Sequence, residues 1–114
     1  MLTIDAMRAF GANVDEGLGR CMNNEAFYLR LVDMAVKDAG FDRLRDALGA
    51  NDLTAAFEAA HALKGVLGNL ALTPILTPVS EATEHLRARR EMDYSGYLTE
   101  ILAQRDKLAQ LCGD

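Results

Sequence analysis

The chain predicts an all-α fold, an up-and-down antiparallel four-helix bundle with an additional short N-terminal helix. Apolar residues recur three and four positions apart almost throughout, and no segment sustains the alternation of a half-buried strand. The loops between periodic stretches are short, which favours antiparallel neighbours. At 114 residues, half hydrophobic and a quarter charged, the sequence fits one soluble domain spanning 1–114.

The first helix is expected from about Val14 to Met22, with Asn13 as its cap and Asp15 and Glu16 in its first turn, although Gly17 and Gly19 weaken it. Asn24 caps the next, which turns Phe27, Leu31, Met34 and Ala35 inward and pauses near Gly40; Phe41, Leu44 and Leu48 continue the pattern to Gly49. Asp52 then caps a helix running to about Leu70. Thr73-Pro74 and Thr77-Pro78 each read as a cap plus first-turn proline, so the following helix starts at one and is bent or delayed by the other. Ile75, Val79, Ala82 and Leu86 form its buried edge. Asp93 caps a last helix that turns Tyr97, Leu98, Ile101, Leu102 and Leu108 inward and ends at Gly113.

A net charge of -5 and a pI near 4.9, with no long basic run, argue against nucleic acid or an anionic membrane surface as partner. The densest basic patch, Arg87, Arg89 and Arg90, is flanked by Glu84 and Glu91. The start, Met1 to Asp5, lacks the basic and apolar regions of a signal peptide, and no apolar run is long enough to span a bilayer. A cytoplasmic location is expected. The opening Met1 and the loop-like Cys112-Gly113-Asp114 close favour a free-standing protein over the excised domain of a larger kinase. Cys21 and Cys112 lie far apart, which suits small apolar or surface residues better than a zinc site or a disulfide.

The segment His61 to Gly68 carries the chemistry. At about 100° per residue, Lys64, Gly65 and Gly68 fall within roughly 60° of His61. Ala59, Leu63, Val66, Leu67 and Leu70 line the opposite side at helical period, so that side packs inward and the histidine looks outward. Glycine within a helix costs about 1 kcal/mol against alanine. Two of them beside an exposed histidine are explained by clearance, which lets another macromolecule bring a reacting group to the ring. Phe57, four residues before His61, is either a docking-surface aromatic or leans onto a neighbouring helix. Asn69 flanks the same face as a solvated polar residue or a docking contact.

Metal binding is the sharpest competitor, because Glu58-Ala59-Ala60-His61 is half of a ferritin-type Glu-x-x-His arrangement. The second half is missing: three and four residues before His85 stand Ala82 and Glu81, the wrong register. No metal site is therefore expected. His85 lacks the following lysine and glycine and reads as a surface histidine.

Ala60-His61-Ala62-Leu63-Lys64-Gly65, followed by Gly68-Asn69-Leu70, resembles the histidine-containing phosphotransfer (HPt) domain, and the likeness runs from about Val14 to Arg87. The resemblance implies that His61 accepts a phosphoryl group from the aspartyl phosphate of a receiver domain and hands it to another receiver, with Lys64 near the phosphate and Gly65 allowing approach. Receiver domains of response regulators or hybrid histidine kinases would be the partners, and the protein a monomer. A neutral imidazole has the lone pair that attack on phosphorus requires. No phosphate-binding loop or kinase signature is present, so ATP-dependent kinase activity is not expected. No cofactor is expected either, with Mg²⁺ belonging to the receiver alone. Family members often carry glycine three residues beyond the position of Gly68, where this chain has Ala71, and Pro78 interrupts what is often continuous helix. The dimerising histidine domain of sensor kinases is disfavoured by Ala62, which stands where an acidic residue is needed. The alternative function is a helical module that docks on a receiver or kinase and regulates it without being phosphorylated.

Overall fold

The computed structural model describes residues 1–113; Asp114, the last residue of the expected terminal loop, lies outside the described residues. Among those residues the chain is all-α. Helix α1 spans Ile4–Phe10, α2 Val14–Arg20, α3 Glu25–Val36, α4 Gly40–Gly49, α5 Leu53–Asn69, α6 Thr73–Arg87 and α7 Ser95–Cys112. The side-by-side bundle expected from the sequence is formed by α3 with α4, then α5, α6 and α7. In it α5 lies between α4 and α6, while α7 packs on α6 and α3.

The amino end departs from expectation. Helix α1 precedes the predicted first helix: Thr3 accepts the Ala6 N–H at its start, Gly11 closes it in the left-handed region at φ 107°, and Met7 and Phe10 are buried. Seven residues gave too short a periodic signal to be read. Helix α2 stops at Arg20 instead of Met22, because Met22 and Asn23 both take positive φ, 56° and 57°, and turn the chain sharply into α3. On α3 the inward face is Tyr28, Val32, Ala35 and Val36, whereas Phe27 and Leu31 are half-buried and Met34 is 60% exposed. The two candidate stripes differ by one residue, about 100° of rotation. Tyr28 decides between them, since its hydroxyl finds a buried acceptor.

The remaining helices start and stop nearly where the sequence placed them. Asp38 Oδ1 accepts the Gly40 N–H at 2.7 Å and restarts the chain as α4, which buries Phe41, Leu44 and Ala47 and leaves Leu48 half-buried. Asp52 caps α5 through the Ala55 N–H at 3.0 Å. Helix α6 begins at the first Thr-Pro, with Leu72 at the cap position and no capping side chain, and Pro78 lies inside it. Neither threonine acts as the cap. The predicted edge of Ile75, Val79, Ala82 and Leu86 is fully buried. At the start of α7 the Asp93 carboxylate accepts the Ser95 N–H at 2.9 Å, and hydrogen bonding from Ser95, its side chain first and its backbone second, favours the charged form and lowers the Asp93 pKa, although Tyr94 occupies the cap position. Ile101 and Leu108 are buried, while Tyr97, Leu98 and Leu102 are half-buried against the core. Cys112 is the last residue of α7, not part of a loop; it is half-buried, Cys21 is buried, and both are free thiols.

The turn between α5 and α6 ties the bundle to its amino-terminal helices. Leu72 N–H bonds the Leu67 carbonyl at 3.0 Å and Ala71 N–H that of Gly68 at 3.1 Å, the Schellman closure of a helix, with Ala71 left-handed at φ 55°. Alanine stands where glycine would be unstrained. The Leu70 carbonyl accepts the Tyr28 hydroxyl at 2.9 Å, and the Ala71 carbonyl accepts the Asn13 N–H at 3.0 Å. Burial, with a smaller contribution from Cys21, pushes the Tyr28 pKa up to about 12, so its hydroxyl remains a donor at neutral pH.

Gly17 sits in the same junction: an added Cβ would lie 2.5 Å from Tyr28 Cε1 and 2.7 Å from the Leu70 carbonyl oxygen. Gly17→Ala should therefore destabilise the protein by about 1–3 kcal/mol, the usual cost of overpacking, despite its better helix propensity. Urea unfolding checks this. A variant as stable as wild type would show that the junction yields.

Candidate functional site

Helix α5 presents two faces set by one rotation. Ala56, Ala59, Ala60, Leu63 and Leu67 are buried, with Val66 half-buried at the edge, so His61 and Gly65 are exposed and Lys64 and Gly68 lie half-exposed beside them. Four alanines in the first half of the helix favour its formation and keep its buried side flat. The glycines are not demanded by internal packing. An added Cβ at Gly65 would meet nothing within 4 Å, and one at Gly68 only Leu76 Cδ1 at 3.9 Å.

His61, Lys64, Gly65, Gly68 and Asn69 line one open hollow of about 610 Å³. Phe57 is not part of it. Its half-buried ring stacks on His61 with centroids 5.5 Å apart and planes 17° from parallel, while the Arg87 guanidinium of α6 sits 5.1 Å from the Phe57 centroid. Phe57 thus both leans on the neighbouring helix and supports the imidazole. Lys64 Nζ is 3.7 Å from Glu84 Oε2, and Glu84 Oε1 is 3.5 Å from Arg87 Nε. Exposed pairs of this kind contribute at most about 1 kcal/mol. A dianion arriving at His61 would compete readily with Glu84 for the lysine.

Two charged residues of the hollow were not singled out as site residues from sequence. Arg20 and Glu16, from α2, line it together with His61 and Lys64. Their four-residue spacing is legible as a helix pair, but nothing in the sequence brings α2 to the end of α5. His85 also differs from expectation, being half-buried rather than a free surface histidine. Arg90 Nη1 donates to its Nδ1 at 3.0 Å, which leaves Nε2 as the protonated nitrogen donating to the Tyr97 hydroxyl at 3.1 Å. Both ring nitrogens are engaged. Glu58, the other half of the metal pattern, is exposed and lines a different hollow, toward α4. No group of three His, Cys, Asp or Glu side chains among the described residues could hold a metal ion.

The family model described as the Hpt domain matches residues 38–113. The chain belongs to the Hpt domain family. The match takes in α4 to α7, with the helix that carries His61 at its centre, and begins after α1, α2 and α3. It therefore reaches further toward the carboxyl end, and less far toward the amino end, than the likeness read from the sequence. Neither the curated proteins nor the solved structures gave a match. An Hpt domain implies a histidine phosphotransfer role in a phosphorelay, as a phosphoryl carrier rather than a kinase, and interaction with receiver domains. Among the described residues of this Hpt domain, no helix is long and apolar enough to cross a membrane.

Open space beyond Gly65 makes its role testable apart from folding. Gly65→Leu should match or exceed wild-type stability, by up to about 1 kcal/mol from helix propensity. Labelling by a phosphorylated receiver should fall sharply, and labelling by phosphoramidate should fall much less. Thermal melts with parallel labelling by both donors check this. Equal losses with both donors would show that clearance for a macromolecule is not what the glycine provides.

Proposed function

We propose that His61 is the phosphorylated residue of this domain, taking a phosphoryl group from the aspartyl phosphate of one receiver domain and passing it to another. The observation that carries the reading is an exposed imidazole flanked on one helix face by Lys64 and by a glycine with empty space beyond it. In the forward step a ring nitrogen attacks phosphorus as the bond from phosphorus to the aspartyl oxygen breaks. The carboxylate leaves with the electron pair, and the proton on the other ring nitrogen passes to water. Passing the group on reverses this sequence at a second aspartate.

The chain's own contributions are placement and charge. The Phe57 stack restrains the imidazole plane, and Lys64 offers a point charge to the transferred group once Glu84 lets it go. Gly65, Gly68 and Asn69 form the surface on which the receiver would sit, and the receiver would bring Mg²⁺ and the remaining catalytic groups. The reading takes the protein to be a monomeric, cytoplasmic carrier formed as one domain over 1–114.

Incubation with a panel of phosphorylated receivers should place an acid-labile, base-stable phosphoryl group on the wild type, and His61→Ala should abolish it. Label retained in that variant, or lost instead in His85→Ala, would overturn the assignment. Binding of receivers without label would favour a purely regulatory docking module.

Lys64→Ala should slow transfer by about 10-fold, a loss of order 1.4 kcal/mol at the transition state, while leaving helix content unchanged. Quench-flow rates alongside circular dichroism check it. Unchanged rates with several receivers would mark Lys64 as a solvated surface residue.

A further inference from the structure

Arg20 is the second cation in the hollow that holds His61, and its two bonds leave it poised between structure and solvent. Its Nη1 donates to the Gly68 carbonyl on the site face of α5, which aims the guanidinium at that face. Its Nη2 pairs with Glu16 Oε1 at 2.7 Å, and both side chains remain nearly half exposed, at 44% and 47%. Among the described residues, Glu16 is the one carboxylate lining this hollow, against the two cations Arg20 and Lys64.

Arg20 is not the only tie between α2 and the rest of the bundle. That helix is anchored at its start by the Asn13 N–H on the Ala71 carbonyl and at its middle by the close seat of Gly17 on Tyr28 and Leu70. An exposed Arg–Glu pair one turn apart contributes little to stability, so exchanging the carboxylate for another oxyanion costs little. A planar fork suits phosphoryl oxygens, and a dianion binds it more strongly than a screened carboxylate. Arg20 also lies before residue 38, outside the part of the chain that the family model matches.

We propose that Arg20 is a second phosphoryl-binding residue of the site, held ready by Glu16 and transferred to the phosphoryl group once His61 carries it. The inference rests on phosphorylation of His61. Glu16 in this arrangement is an internal competitor: it keeps the guanidinium charge-balanced while the imidazole is free, and its displacement accompanies loading.

The test is ³¹P NMR titration of the full-length protein labelled with phosphoramidate, for wild type, Arg20→Ala, Arg20→Lys and Glu16→Gln, with thermal melts of each. A cation beside the phosphoryl group favours its dianion. Arg20→Ala should therefore raise the titration midpoint of the phosphohistidine signal, by roughly 0.5 pH unit or more. Arg20→Lys should raise it less, and Glu16→Gln, which frees the guanidinium, should lower it. A merely structural arginine would lower the melting temperature and move none of these midpoints. Label at His61 with midpoints unmoved in Arg20→Ala and Glu16→Gln overturns this inference alone. Absence of label at His61 in the wild type overturns the phosphotransfer reading and this inference together. Should Arg20→Ala fail to fold, the opposite movements expected of Arg20→Lys and Glu16→Gln decide the matter.

Discussion

Ala56, Ala60, Leu63 and Leu67 of α5 are sealed between α4 and α6, and that seal sets the rotation of the helix about its own axis. A turn of one residue, about 100°, would carry His61 into the core and bring Leu63 toward water. Burying leucine side chains is worth about 1.5–3 kcal/mol each, so the outward setting of the imidazole is held by apolar contacts on the far side of the helix. Gly40 adds to this constraint. An added Cβ there would come within 2.9 Å of the Leu63 side chain, so α4 and α5 meet with almost no slack.

Around this fixed axis the site is assembled from weak, exchangeable interactions. Lys64 rests near Glu84, Arg87 lies over Phe57, and Arg20 pairs with Glu16, all at partly exposed positions where ion pairs add little to stability. Cations held this loosely can be redirected to an arriving anion without disturbing the core. The stiff part of the molecule orients the histidine, and the soft part holds cations beside it.

The junction of α5 and α6 is the second organising point. Its carbonyls at Leu70 and Ala71 are taken by Tyr28 and Asn13, which couples α2 and α3 to the end of the site helix. Ala71 accepts a left-handed conformation there although a β-carbon makes it unfavourable by about 1–2 kcal/mol. The Schellman bonds and the two long-range bonds at this turn outweigh that cost. Through the same junction α2 comes to lie beside the hollow.

Sequence alone determined the helical class, three of the four helix caps supplied by side chains, the buried edge of α6 and the outward face of His61, because each follows from spacing along one helix. The side of α3 that faces the core was not legible, since two apolar stripes one residue apart both satisfy the helical period. Only the acceptor at Leu70, supplied from 42 positions away, selects Tyr28 over Phe27. His85 read as solvated because its partners Arg90 and Tyr97 come together only when α7 folds back on α6. Arg20 escaped for the same reason: its place in the hollow depends on a bond to Gly68, formed across 48 residues. Local periodicity fixes which face a residue shares, whereas which other helix meets that face is decided by packing between distant segments.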